Sequence, residues 1–219
     1  MQEVKKNLKI ALILPTYGVG GAEKVFVELA NSLCDHYRKV DIVTFSNEGP
    51  LKDNLKKSIN QVVLESKSYK IFLRKFITYI NVERPNIIFT SVYATGLVAI
   101  AARFFSKHKP KIIVGCHNNF TYKLKRPDNI KDKYLLYPLA YVLFRFADKI
   151  LCVSYGVADD IRKKLKINKS LISVIYNPVV SVSIDQQAKK ELLHPWFLSE
   201  RNFTTILAVG RLVPQKGFD

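Results

Sequence analysis

Seven short runs rich in Ile and Val recur along the chain, and between them lie longer segments whose apolar residues fall at helical spacing. The runs are Lys9 to Leu14, Val40 to Phe45, Gln61 to Leu64, Asn86 to Thr90, Lys111 to Cys116, Lys149 to Ser154 and Leu171 to Ile175. β-Branched residues favour extended backbone, and near-continuous apolar runs suit strands buried on both faces. Strands and helices alternating in this way predict a parallel sheet with helices packed on it. The fold class that follows is α/β, a doubly wound, mostly parallel, Rossmann-like sheet.

The segment after the first run shows how the helices are read. Val25, Phe26, Leu29, Ala30 and Leu33 fall on one arc, and Glu23, Lys24, Glu28, Asn31 and Ser32 on the other. Such a helix packs against a sheet by its apolar arc. From Val180 to Arg201 the chain turns polar and charged, and an apolar run then resumes from Thr204 to Gly210. This shift divides the chain into a first domain over 1–180, a connector over 181–203, and the first strand and loop of a second domain over 204–219.

In open α/β sheets ligands bind beyond the carboxyl ends of the strands, which makes the residues just after each run the informative ones. Gly18, Gly20 and Gly21 follow the first run. A dinucleotide fingerprint would need glycine where Glu23 stands, and no P-loop pattern occurs anywhere. Two readings stay open: a turn that offers backbone N–H groups and a helix N-terminus to an anion, or a plain strand-to-helix turn. Gly115-Cys116-His117-Asn118-Asn119 follows the fifth run. His117 there is either a group that bonds a hydroxyl or phosphate, a general base, or an ordinary loop histidine. Ser154 follows the sixth run and Asn177 the seventh. After 204–210 come Arg211 and Lys216 between Gly210 and Gly217, a spacing that can converge two cations on a diphosphate.

Lys and Arg number 35 against 18 Asp and Glu, a formal charge of +17, and residues 103–169 hold 16 of the basic side chains with 5 acidic ones. A field of this sign favours anionic partners and says nothing of fold. Residues 67–80 form a basic amphipathic helix, with Lys67, Lys70, Arg74 and Lys75 opposite Tyr69, Phe72, Leu73, Phe76, Ile77 and Ile80. It either lies on an anionic membrane or covers the sheet with a charged outer side. Cys34, Cys116 and Cys152 sit in apolar runs without C-x-x-C spacing and read as reduced core residues of a cytosolic protein. No signal-peptide pattern is read at the N-terminus, and the apolar segment Tyr134 to Ala147 is too short for a membrane span. His36, His108, His117 and His194 have no ligand-spaced neighbours, and no G-x-S-x-G elbow is present, so no metal or serine nucleophile is expected.

Taken together, Gly20-Gly21-Ala22-Glu23, His117, Ser154, Val174-Ile175-Tyr176-Asn177-Pro178 and Val209-Gly210-Arg211-Leu212 leading to Lys216-Gly217 resemble glycosyltransferase family 4. The likeness extends over the whole chain, which corresponds to the first half of such an enzyme. It implies the GT-B fold, two Rossmann-like domains facing across a cleft, and transfer of a sugar from a nucleotide donor with retention of configuration. By this resemblance the Gly20-Gly21 turn lies near the donor diphosphate or an acceptor phosphate, and Arg211 and Lys216 hold the donor diphosphate. His117 reaches towards the transferred sugar as the catalytic candidate, and Tyr17, Asn118, Ser154 and Asn177 lie on the acceptor side. It implies no cofactor and no metal, since fixed cations meet the departing charge. The partners implied are a nucleotide-sugar donor, a lipid-linked or glycan acceptor and the anionic inner face of a membrane, with the protein cytoplasmic and peripheral.

Two departures stand out. The acidic pair of the family, Glu-x7-Glu, is absent from this chain, which alone is therefore expected to be inactive. Where the family often has Asn-Gly-Val-Asp, the chain reads Asn177-Pro178-Val179-Val180. Two other function classes remain. A non-catalytic α/β module binding a polyanion, nucleic acid or anionic lipid, rests on charge alone, and no nucleic-acid motif supports it. An enzyme acting on a phosphorylated metabolite through the Gly20-Gly21 turn lacks a visible catalytic set.

Overall fold

The computed structural model describes residues 7–66, 68–125, 132–178, 182–190, 194, 204, 206–210, 212 and 217–218. The chain divides into two units, Met1–Asn177 and Pro178–Asp219.

In the first unit all seven expected strands form: β1 (Lys9–Leu14), β2 (Lys39–Thr44), β3 (Asn60–Val63), β4 (Ile87–Thr90), β5 (Lys111–Cys116), β6 (Lys149–Cys152) and β7 (Ile172–Val174). They pair in parallel in the order β3-β2-β1-β4-β5-β6-β7. The chain moves outward from β1 through β2 to β3, then returns to lay β4 on the other side of β1. The carboxyl ends of β1 and β4 thus mark the point where the strand order reverses and a ligand crevice opens.

Helices α1 (Gly21–Leu33), α2 (Tyr69–Glu83), α3 (Tyr93–Phe105), α4 (Phe120–Lys125), α5 (Tyr137–Leu143) and α6 (Tyr155–Leu165) connect the strands. On one face of the sheet α1 buries Phe26, Val27 and Ala30 over Ile10, Leu12, Leu14, Val40 and Ile42. The buried arc is turned slightly from the one expected, since Val27 is inside and Val25 only half-buried. On the other face α2, α3, α5 and α6 share a larger core with Ile13, Val43, Ile88, Ile112, Val114 and Ile150. Right-handed crossovers from β3 onward account for this asymmetry, because each advances the sheet in one direction and lays its helix on one side.

Helix α2 is the basic amphipathic segment. Ser68 caps it by accepting from the Ile71 N–H at 3.3 Å, and Arg84 ends it in the left-handed region at φ 49°. Phe72, Phe76 and Ile80 are fully buried against the sheet, so the apolar arc that a membrane would need faces inward. Cys116 and Cys152 are buried and Cys34 half-buried, and all three are free thiols. Among the described residues no helix is long and apolar enough to cross a membrane.

The second unit contains helix α7 (Val182–Ala188). The run 204–210, expected as a buried strand, has no strand among its described residues, and Ile206, Leu207 and Val209 are exposed. A strand is stabilised by the ladder it makes with a neighbour, and no described residue of this unit supplies one. Lys67, Arg211 and Lys216 lie outside the described residues.

Candidate functional site

Backbone bonds from the loop after β2 set the corner after β1. The Tyr17 N–H donates to the Glu48 carbonyl at 2.9 Å, the Leu51 N–H donates to the Tyr17 carbonyl at 3.1 Å, and the Phe45 N–H donates to the Pro15 carbonyl at 3.1 Å. The Thr16 hydroxyl accepts from the Gly18 N–H at 3.3 Å. The chain then turns into α1, for which Gly20 is the N-cap, with no side chain capping the first-turn amides.

The three glycines of this corner are not glycines because of their backbone. None has positive φ. A Cβ on Gly21 would meet nothing within 4 Å, one on Gly18 would touch the Thr16 hydroxyl at 3.4 Å, and one on Gly20 would meet the flexible Glu23 carboxylate. Small residues that the fold itself does not require leave open space at the foot of α1. The Glu23 carboxylate folds back over Gly20 and is the negative group now nearest the helix N-terminus.

His117 leaves the carboxyl end of β5 on the α1 face. Its ring lies across the space left by Gly115, where a Cβ would come 3.4 Å from Nε2 and 2.5 Å from the Thr90 carbonyl. Phe26 of α1 meets the imidazole edge to face with centroids 6.0 Å apart, and Phe26 in turn packs on Phe89 at 4.8 Å. The helix that begins at the glycine corner therefore reaches the histidine through its second turn, and both groups stand on the same edge of the sheet. Burial holds the His117 pKa below its ordinary value, because a half-buried imidazolium loses hydration. A neutral ring donates from one nitrogen and accepts at the other, which suits a hydroxyl partner. An NMR titration of the His117 ring protons is expected to give a midpoint below 6.5, with the charged form appearing only as the pH falls through it. A midpoint above 6.5 would mean that an anionic group faces the ring.

The loop that carries His117 is fixed from behind. Asp160 of α6 accepts from the Phe120 and Thr121 N–H groups at 2.6 and 3.0 Å and from the Thr121 hydroxyl. Asn119 caps the same turn by accepting from the Tyr122 N–H at 2.9 Å, and the Tyr93 hydroxyl donates to the Asn118 carbonyl. Of the other candidates, Tyr17 is fully buried beside Thr44. Burial raises its pKa more than the neighbouring hydroxyl lowers it, and neither hydroxyl makes a well-formed hydrogen bond. Asn118 is exposed and Asn177 half-buried. Ser154 caps α6, its oxygen accepting from the Val157 N–H at 3.2 Å, which leaves its proton to donate elsewhere.

A feature that sequence inspection misses joins these residues. Among the described residues, the buried side-chain polar atoms without a hydrogen-bond partner are the hydroxyls of Tyr17, Thr44, Ser66, Thr90 and Ser91 and the Nδ1 of His117. Every one belongs to the carboxyl edge of the sheet, at or just past the ends of β1 to β5. An unpaired buried polar group costs about 1–3 kcal/mol, so such groups collect where something other than stability is served. Ser91, next to the reversal point and on the His117 face, carried no sequence signal beyond its place after a strand.

The family model "Glycosyltransferase Family 4" matches residues 19–181. No curated protein matches the chain by sequence. Solved structures with the same fold include a lipopolysaccharide outer core galactosyltransferase, WaaB, at 20% identity and TM-score 0.58 over 78% of this chain and 46% of that one. HepE from Anabaena, solved with UDP-glucose, gives 17% identity and TM-score 0.61 over 83% and 50%. Sucrose-phosphate synthase from Thermosynechococcus elongatus gives 16% and 0.61 over 78% and 48%. The chain spans about half the length of these structures. With a match over most of its length and a seven-stranded parallel sheet of the same fold, this chain belongs to glycosyltransferase family 4.

Proposed function

We propose that this chain is the acceptor-binding half of a retaining glycosyltransferase that uses a nucleotide-sugar donor. Its acceptor is lipid-linked or a polysaccharide, and the protein works in the cytoplasm at the inner face of the membrane. The observation that carries this reading is the meeting of the open glycine corner and a neutral His117 on one edge of the sheet, joined through Phe26. HepE was solved with UDP-glucose, which supports a sugar attached to a nucleoside diphosphate as the donor class.

In this mechanism the glycine corner lets a phosphate or a sugar approach the backbone N–H groups of the α1 N-terminus, and Glu23 swings aside as it does so. His117 hydrogen-bonds a hydroxyl of the transferred sugar, held in place by Phe26 and by the Asp160 clamp. Arg211 and Lys216 hold the diphosphate and balance the charge that grows on it as the glycosidic bond breaks, so that no metal is required. Tyr17, Asn118, Ser154 and Asn177 line the acceptor side.

The test is turnover of nucleotide sugars by the full-length protein that carries this chain. His117→Ala and Arg211→Ala are each expected to lower kcat/KM by roughly 10²-fold or more, the usual effect of deleting one transition-state hydrogen bond or charge. Rates unchanged in both variants would remove the assignment.

A further inference from the structure

The amino edge of the sheet, opposite the crevice, carries exposed apolar side chains that the reaction does not use. Phe104 and Phe105 close α3 with 49% and 72% of their surfaces exposed, and Phe146, in the turn before β6, is 48% exposed. Phe104 and Phe146 meet edge to face at 5.1 Å. Val82, at the end of α2, is 70% exposed, and its neighbour Asn81 accepts from the Lys107 N–H at 2.7 Å, which ties that end of α2 to the Phe105 turn. Exposed phenylalanines gathered in this way on a charged protein are unusual unless something covers them.

The rim is cationic. Arg84, Lys107, Lys109, Lys111 and Lys149 are all exposed around these rings; Lys109 Nζ donates to the Arg103 and Phe104 carbonyls at 2.7 and 3.0 Å and Lys149 Nζ to the Ser170 carbonyl at 2.8 Å. Asp148 is engaged by Arg103 at 2.6 Å, and Glu83 is held by Lys9 and Lys39, so the nearby carboxylates are already neutralised. Between rings and rim lies an open hollow of about 480 Å³, lined by Arg103, Phe104, Lys109, Pro110, Lys111 and Asp148. Apolar rings able to enter an acyl boundary, lysines around them and a headgroup-sized hollow between them are the components of a monotopic contact with anionic lipid.

We infer that this amino-edge patch, and not helix α2, is the surface by which the protein docks on an anionic phospholipid membrane. Phe104, Phe105 and Phe146 enter the interface, and Lys107 and Lys111 meet the lipid phosphates. The orientation has a consequence for the substrate. Strand β5 has six residues, so at about 3.3 Å per residue the crevice stands roughly 20 Å above the docked edge and opens away from the bilayer. The reacting end of the acceptor therefore stands off the surface, as the tip of an extended glycan does. This last step rests on the glycosyltransferase reading; the docking does not.

The experiment is flotation of this chain with phosphatidylcholine vesicles, with and without phosphatidylglycerol, at low and high salt. Wild type is expected to float only with the anionic vesicles and to be released by salt. The Phe104→Ser/Phe105→Ser and Lys107→Glu/Lys111→Glu variants should each lose about tenfold or more of the bound fraction, whereas Lys70→Glu/Arg74→Glu on α2 should lose much less. In a Cys34→Ser background, an environment-sensitive dye on Phe105→Cys should shift to the blue on binding, and the same dye on Val19→Cys at the glycine corner should not. Binding that the patch variants leave unchanged, a dye shift at Val19→Cys, or no flotation at all would each overturn the proposal. Loss of self-association in the patch variants without any vesicle effect would do the same, by assigning the surface to a second copy. The variants lie outside the crevice, so in the full-length protein that carries this chain turnover on a soluble acceptor should stay at the wild-type level. Failure of that turnover in wild type would count against the enzymatic reading and leave the docking result standing.

Discussion

Replacing Asp41 with alanine is expected to lower the unfolding free energy by about 3–5 kcal/mol, the usual cost of removing one partner from a buried ionic group. Asp41 sits in β2 with no accessible surface and faces α2. The Tyr79 hydroxyl donates to its Oδ2 at 2.6 Å, Asn60 Nδ2 donates to Oδ1 at 3.0 Å, and Lys9 Nζ lies 3.4 Å away. Lys9 also binds Glu83, which Lys39 reaches at 3.0 Å. Three strands, β1, β2 and β3, and the end of α2 are thus joined by one network at the amino edge. Alanine at position 41 leaves the Tyr79 hydroxyl buried without its acceptor and takes one of two carboxylates from Lys9, which keeps Glu83. Tyr79→Phe removes one hydrogen bond to a charged group and should cost less, about 1.5–3 kcal/mol. Urea denaturation of the three proteins checks the order, and an Asp41→Ala effect below that of Tyr79→Phe would show that the carboxylate does not hold the network.

The same network gives stability a pH dependence on the acid side. Hydrogen bonds from Lys9 and Lys39 lower the Glu83 pKa below its ordinary 4.5. A carboxylate with a depressed folded-state pKa contributes stability above its unfolded value and loses it as the pH falls through the folded one. The Glu83 side chain is about one-third exposed, so solvent screens part of this contribution. Glu83→Gln should accordingly flatten the decline in stability below pH 4.5, since it removes the carboxylate that Lys9 and Lys39 hold.

The sheet was legible in the sequence because every strand is a compact Ile- and Val-rich run, and a run of that kind has few alternatives inside an α/β chain. All seven runs are strands, with ends that shift by no more than two residues. Helix α2 was less legible. Its two arcs were plain, but which of them met water depended on the layer it joined, and that layer follows from strand order. The run 204–210 shows the converse limit, since apolar residues make a strand only beside another strand.

Within the site, the glycine corner and His117 could be found because a doubly wound sheet directs attention to strand ends. Their contact through Phe26 could not, since it requires β1 and β5 to flank β4. Nor could the unpartnered hydroxyls of Thr44, Thr90 and Ser91, which are ordinary residues until burial shows that nothing satisfies them.

The glycine that the fold needs is not one of the three at the corner. Gly49, in the loop after β2, has φ 123° and ψ 148°, a region open in practice to glycine alone. A Cβ there would lie 2.2 Å from the carbonyl carbon and oxygen of Tyr17 and 2.7 Å from the Gly18 nitrogen, all backbone atoms with no rotamer to give way. Gly49→Ala is expected to destabilise the protein by about 3–5 kcal/mol, combining backbone strain with overpacking. In a domain of this size that lowers Tm by roughly 10 °C. Gly21→Ala makes the same chemical change in open space at the first turn of a helix, and should stay within about 1 kcal/mol of wild type or gain slightly. Ligand binding should then divide the two positions the other way. Gly21→Ala should weaken the nucleotide sugar or the acceptor at unchanged stability, because its methyl group fills the floor of the crevice. Thermal denaturation paired with a binding isotherm separates these outcomes. If Gly21→Ala unfolds the chain as readily as Gly49→Ala does, the glycine corner is a requirement of the fold, and its openness no longer points to a ligand.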